Sequence, residues 1–142
     1  MTSLELTIET VVAHVIARRA GSGADAAAVA VAARRAYDDL VVVLVPLIGE
    51  AGVDALVARA LHVTTREYRL NQAEEEASEP FGRVGPWLER QKPTVALAAA
   101  STLLATFAAL LATLIGEPLT MRYLLKAWPG DDFEKPPEGT AA

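Results

Sequence analysis

One uncharged segment constrains the fold of this chain more than any other feature. Residues 94–115, TVALAAASTLLATFAALLATLI, run for 22 residues without a charged side chain. On a helical projection the bulky side chains fall on one side and the small ones on the other. A helix that is apolar all round is either the core helix of a bundle or a membrane span. Its alanine and threonine content and the absence of asymmetric Lys/Arg flanks favour the core helix.

The small-residue face of this segment is a candidate contact surface. Ser101, Ala105, Ala109 and Ala112 recur at a spacing that lets two helices approach closely. Such a face suits packing within one chain as well as packing between two chains. We expect a homodimer, with these four residues at its interface.

Four further stretches show helical patterns. Apolar residues recur every three or four positions in residues 4–19, 26–48, 50–70 and 118–128. Thr2 and Glu5 fit a capping box for the first helix, and Asp25 suits the N-cap of the second. The sequence therefore predicts an all-α fold. It is a bundle of four main helices, of which the Ala/Leu-rich helix at about 94–115 is central and buried, with a short C-terminal helix.

A four-letter motif occurs twice at helix ends. Leu-Ile-Gly-Glu stands at residues 47–50 and again, letter for letter, at residues 114–117. In each copy a glycine follows an apolar helix, as is common at helix C-termini, and a glutamate begins the next helix. We predict two helix–glycine–helix corners of similar build, and a duplicated hairpin is one hypothesis for their origin.

The chain divides into one domain and a tail. Residues 1–129 are predicted to form a single helical-bundle domain. Within it, residues 71–93 contain three prolines, two glycines and an acidic run, which predicts a long internal loop or crossover. A short helix could start within it at residues 85–88. Residues 130–142 have the composition of a disordered tail.

Composition excludes several classes of function. The net charge is −5, and the 13 Lys and Arg residues are dispersed, so nucleic-acid binding has no electrostatic support. The chain has no cysteine, which excludes disulfides and thiolate chemistry and suits a reducing compartment. The N-terminal residues do not resemble a signal peptide. We therefore expect a cytoplasmic protein.

Neither metal ligation nor catalysis has a sequence signature. His14 and His62 are the two histidines, and no second ligand stands at the helical spacing that a metal site needs. Asp38 and Asp39 are adjacent on a helix and diverge by about 100°, so they do not converge on one cleft. No nucleotide-binding motif is present. We predict no catalytic residue, no metal and no cofactor.

Glu67 is a carboxylate at the edge of the apolar stripe of the third predicted helix. Arg59, Arg66 or Arg122 could pair with it, and Tyr68 is its neighbour. One interpretation is a polar pocket formed by Glu67, Tyr68, Arg59 and Arg122. The alternative, which we favour, is a structural ion pair or a boundary glutamate that reaches solvent.

Several short motifs, at predicted helix ends and on predicted apolar helix faces, resemble those of a group of small uncharacterised bacterial all-helical proteins. The similarity spans about residues 29–129. The motifs are PLIGE at 46–50, ALHV at 60–63, REY at 66–68, IGEPLT at 115–120 and AWP at 127–129. The resemblance implies a bacterial helical domain and brings no known activity.

Three functions are compatible with this sequence. The first is a non-enzymatic helical interaction or regulatory module, homodimeric, which the two-faced helix favours. The second is a small-molecule-binding protein or enzyme with an apolar pocket between helices. The third is a membrane-associated protein anchored through residues 94–115.

Overall fold

The protein is an all-α chain in its computed structural model, which describes residues 7–68 and 80–129. This confirms the predicted fold class. The described residues form five helices: α1 Ile8–Ala20, α2 Ala26–Tyr68, α3 Pro80–Glu89, α4 Pro93–Ile115 and α5 Glu117–Ala127. The predicted second and third helices are the two arms of α2, residues 26–48 and 50–68, joined directly at Gly49. No loop separates them.

Helix α1 begins later than the sequence suggested. Thr7, and not Thr2, is its N-cap: the Thr7 hydroxyl oxygen accepts a hydrogen bond from the Thr10 backbone N–H at 3.1 Å. This bond satisfies one of the free donors of the first turn. The predicted cap at Thr2 lies outside the described residues. For α2 the predicted cap is confirmed, since the Ala28 N–H donates to Asp25 Oδ1 at 2.9 Å.

Helix α3 lies within residues 71–93, the segment predicted to be a long loop or crossover in which a short helix could start at residues 85–88. The helix is present but starts earlier and covers ten residues. Helix α3 starts at Pro80, where proline's fixed φ suits a first turn. Its buried residues Val84 and Leu88 are one helical turn apart, so they pack on the same side. The Trp87 ring also meets the Tyr68 ring edge-on, with 6.2 Å between centroids. Tertiary burial outweighs the low helix propensity of Gly85 and Pro86.

Helix α4 lies at the centre of the bundle, since it packs against each of the other four helices. Its buried side chains include Leu103, Leu104, Phe107 and Leu111. Phe107 meets the Tyr37 ring of α2 edge-on at 5.9 Å between centroids. The predicted helix at about 94–115 is therefore present, with half of its most apolar 18-residue window buried, and Leu114 at its C-terminal end is 64% exposed.

Trp128 anchors the end of α5 to the first arm of α2. Its side chain is 1% exposed, and its indole N–H donates to the Ala36 carbonyl oxygen at 3.1 Å. Because indole N–H groups are usually hydrogen-bonded when buried, this bond fixes the ring orientation. The contact joins residues that are far apart in sequence.

Candidate interaction surface

Two contacts fix the direction of α5 along α2. Trp128 touches Ala36, while Tyr123 and Lys126 line one hollow with Pro46. The two helices therefore run antiparallel over residues 36–47 of α2. At 1.5 Å per residue, Gly49 lies about 20 Å along the axis from Ala36, and Gly116 lies about 18 Å back from Trp128. The two Leu-Ile-Gly-Glu corners are thus at the same end of the bundle.

The two corners have the same local structure, as predicted. Gly49 has φ 83° and ψ 163°, and Gly116 has φ 92° and ψ 152°. In both copies the leucine and glutamate are exposed, while the isoleucine and glycine are half-buried. Gly21, which ends α1 in a different sequence context, also has φ 95° and ψ 163°. The shared conformation therefore reflects a common way to end a helix, and duplication stays a hypothesis.

An apolar patch lies between these helices. We call it the corner surface: Val42, Pro46 and Leu47 of α2, with Leu119 and Tyr123 of α5. Val42 is 72% exposed, and Leu47 and Leu119 are exposed as well. Two adjoining open hollows, which share Tyr123, connect the five residues into one surface. Contiguous exposed apolar patches on folded proteins mark interaction sites more often than scattered apolar residues do.

Helix α2 leaves more apolar surface uncovered than α4 does. Among the described residues, both helices are long and apolar enough to cross a membrane, by length and composition alone. Half of the most apolar 18-residue window of α4 is buried, but only 22% of the corresponding window of α2. The helices of α2 were predicted from the sequence, but the exposed apolar face of its first arm was not. The run LVVVLVPLI at residues 40–48 indicates this exposed face, because a helix that buries only one face cannot cover a run in which every residue is apolar.

Charged residues lie within and near the corner surface. Arg122 and Lys126 of α5 line its hollows, with Lys126 Nζ 5.9 Å from the Tyr123 ring centroid. Glu50 and Glu117 stand at the two corners and line neither hollow. All four side chains are exposed. Within residues 7–68 and 80–129, none of the four forms a salt bridge.

The residues of the predicted polar pocket do not form a buried cluster. Arg59 and Glu67 are exposed on the second arm of α2, and Arg122 is exposed on α5. Tyr68 is half-buried against Trp87 of α3. In the described part of the chain no salt bridge joins Glu67 to either arginine. A pocket formed by these four residues therefore stays a prediction, since three of the four side chains are exposed.

The predicted small-residue interface on α4 is only partly open. Ser101, Ala105 and Ala112 are half-buried, and Ala109 is exposed. The Ser101 hydroxyl oxygen is buried and has no hydrogen-bond partner among the described residues. A second chain at this face stays a prediction. The corner surface exposes larger apolar side chains, and sequence periodicity did not find it.

The polar residues considered for catalysis or metal binding are placed apart. Asp39 pairs with Arg19 at 2.7 Å and Asp38 with Arg34 at 3.2 Å, so the two carboxylates diverge as predicted. His62 is exposed on the second arm of α2. No group of three or more potential metal ligands occurs among the described residues. The corner surface is therefore the candidate functional site.

Comparison with known proteins gave no relative. No protein-family model matches the sequence, and no match was found among curated proteins or among solved structures. The resemblance to small bacterial helical proteins stays a prediction. The function must therefore be inferred from the surface itself.

Proposed function

We propose that this protein is a non-enzymatic helical interaction module that forms a homodimer through the corner surface. The observation that carries the proposal is the exposure of Val42, Leu47 and Leu119 on one continuous apolar patch. Most other apolar side chains of the described residues pack into or against a core that all five helices form, whereas Val31, Val63 and Leu114 are exposed outside the corner surface.

The energetic reason is the cost of leaving large apolar side chains in water. Burying one valine or leucine side chain is worth about 1.5–3 kcal/mol. A symmetric interface buries each such residue twice, once in each copy. The free energy gained by this burial must exceed the free-energy cost of the entropy lost on association. Well-packed apolar residues at the centre of an interface supply most of the net binding free energy.

The oligomeric state of suitable variants tests the proposal. We expect the wild-type chain to sediment as a dimer, and the paired substitution Val42→Asp and Leu47→Asp to weaken dimerisation by at least about a hundredfold, because each copy then buries two carboxylates. Analytical ultracentrifugation over a concentration series measures the dissociation constant. Circular dichroism checks that the variant remains helical.

The matched control places the same charges elsewhere on α2. Val31 is 49% exposed and Val63 is also exposed, and neither belongs to the corner surface. Val31→Asp with Val63→Asp should leave the dissociation constant unchanged. A wild-type chain that remains monomeric at every concentration would rule out the proposed homodimer.

A second candidate is membrane association, which the poorly covered apolar window of α2 supports. In that case the apolar patch would face lipid in place of a second copy. Flotation with vesicles tests this directly: binding of the wild type, lost with Val42→Asp and Leu47→Asp, would favour lipid. Wild-type protein that stays with the soluble fraction would exclude it.

A further inference from the structure

We infer that the homodimer binds a phosphate-type dianion at the corner surface, held by Arg122 and Lys126 of both copies, and that this anion strengthens dimerisation. The inference rests on the proposed function and adds the ligand that regulates it. It is carried by the position of these two cations inside an apolar surface that the second copy covers.

The two cations lie among the apolar residues of the corner surface. Lys126 lines both hollows, and Arg122 lines the hollow that also contains Leu119. The Lys126 ammonium nitrogen lies 5.9 Å from the centroid of the Tyr123 ring, and Tyr123 likewise borders both hollows. The two positive charges are therefore part of the surface that a second copy would bury.

The described residues place no carboxylate beside these cations. Neither hollow has an aspartate or glutamate in its lining, as far as residues 7–68 and 80–129 define it. Within the same residues Arg122 and Lys126 form no salt bridge. Glu117, on the same helix, lies on the opposite side of α5 from both, at about 100° per residue. In the single chain both cationic side chains are exposed, so water solvates their charges.

Pairing of two copies removes this water and brings like charges together. A two-fold axis through the corner surface places Arg122 and Lys126 of both copies in one interface, whatever the crossing angle of the helices. The second copy adds two more cations and, from the described lining of its hollows, no carboxylate. Loss of hydration and repulsion between like charges both oppose dimerisation. An anion bound between the four cations offsets both costs.

A phosphate-type dianion suits this group of cations. The planar guanidinium of Arg122 can donate two parallel hydrogen bonds to phosphate oxygens, and Lys126 adds a compact point charge. Two negative charges offset more of the repulsion than the single charge of chloride. The hollows enclose about 260 and 370 Å³, so either has room for a phosphate group, which is only a few water molecules in size. The ligand is a soluble one, because an interface closed over the hollows leaves no access for a membrane headgroup.

The dissociation constant of the wild type with and without inorganic phosphate tests the inference. We expect the dimer to be at least about tenfold tighter in low-millimolar phosphate than in chloride of the same ionic strength, because a ligand that binds the dimer better than the monomer stabilises it by mass action. Analytical ultracentrifugation measures both constants. Equal ionic strength keeps the screening of charges the same, and phosphate at this concentration is too dilute to strengthen apolar burial in general.

Removing the two cations should remove the effect of phosphate. Arg122→Gln with Lys126→Gln should dimerise in chloride at least as tightly as the wild type, because the repulsion is gone, and phosphate should leave its dissociation constant unchanged. The matched control, Arg18→Gln with Lys92→Gln, removes the same two charges from exposed positions outside the corner surface. It should keep the full response to phosphate. Circular dichroism checks that both variants remain helical.

A direct binding measurement adds a second readout. Isothermal titration calorimetry with inorganic phosphate should detect binding to the wild type and to the matched control. The heat of binding should be lost in Arg122→Gln with Lys126→Gln, whose dimer offers the anion no cations at the interface.

The outcomes distinguish this inference from the proposed function. A wild-type dimer whose dissociation constant is the same with and without phosphate overturns the anion site and leaves the homodimer intact. Weaker dimerisation of Arg122→Gln with Lys126→Gln than of the wild type in chloride also overturns it, because carboxylates of the second copy would then pair with the cations. A wild type that is monomeric with and without phosphate overturns both, and flotation with phosphatidylglycerol vesicles would then identify a lipid headgroup as the anion.

Discussion

Replacing Trp128 with alanine should lower the free energy of unfolding by about 3–5 kcal/mol, the usual cost of removing a large buried aromatic side chain. The indole is 1% exposed and is one of the largest fully buried side chains in the described residues. Its removal leaves a cavity between α5 and the first arm of α2. The loss should appear in urea unfolding followed by circular dichroism.

Trp128→Phe separates packing from hydrogen bonding. Phenylalanine keeps most of the apolar volume but loses the bond to the Ala36 carbonyl oxygen. That carbonyl lies inside α2, where it can still accept the helical bond, so we expect a loss of only about 0.5–1.5 kcal/mol from the missing bond. A cost below about 1 kcal/mol for Trp128→Ala would show that Trp128 does not hold α5 against α2. The corner surface, which both helices form, would then lose its structural basis.

Gly49→Ala and Gly116→Ala should each cost about 1–3 kcal/mol in unfolding free energy. Both glycines combine a positive φ with an extended ψ, a region that side-chain-bearing residues almost never occupy. Steric overlap does not cause this loss of stability. A Cβ at Gly49 would meet no atom within 4 Å, and one at Gly116 would make an ordinary contact with Pro118. The cost would arise from backbone strain alone. Thermal or urea unfolding measures it.

Gly85→Ala is the matched control for these substitutions. Gly85 lies within α3, and an added Cβ there meets nothing within 4 Å outside its chain neighbours. Alanine favours a helix over glycine, but its Cβ would face the ring of the next residue, Pro86, so the two effects oppose each other and the change should stay within about 1 kcal/mol of zero. A clear loss at both corners and a small change in α3 are the expected pattern. A neutral result at Gly49 and Gly116 would contradict the corner conformation.

Much of the fold follows from local sequence patterns. The apolar stripes predicted the all-α class, and the uncharged stretch at 94–115 predicted the central helix. The two glycines of the repeated motif marked both corners, because a helix that ends in a positive φ favours glycine whatever surrounds it. These features depend on residues close together in sequence, which is why they could be predicted.

The features that were not predicted depend on tertiary contacts. The sequence allowed a short helix from residues 85–88 but not a helix that begins at Pro80, because its glycine and proline residues disfavour a helix and the burial of Val84 and Leu88 offsets them only in the folded chain. The corner surface arises because Trp128 places α5 antiparallel to α2, which no periodicity in either segment reveals. The valine-rich run of α2 is a local signal of exposed apolar surface, because it has more apolar positions than one buried helix face can hold.

Because the chain contains no cysteine, one introduced thiol can carry a single nitroxide label. Label–label distances between two copies therefore test the central claim, that the corner surface pairs with itself. Leu119→Cys puts the label on the corner surface, while Val31→Cys puts it elsewhere on α2. Pulsed electron paramagnetic resonance should give a clearly shorter distance for labels at Leu119 than for labels at Val31. A longer distance at Leu119, or no dipolar coupling from either position, would contradict the claim.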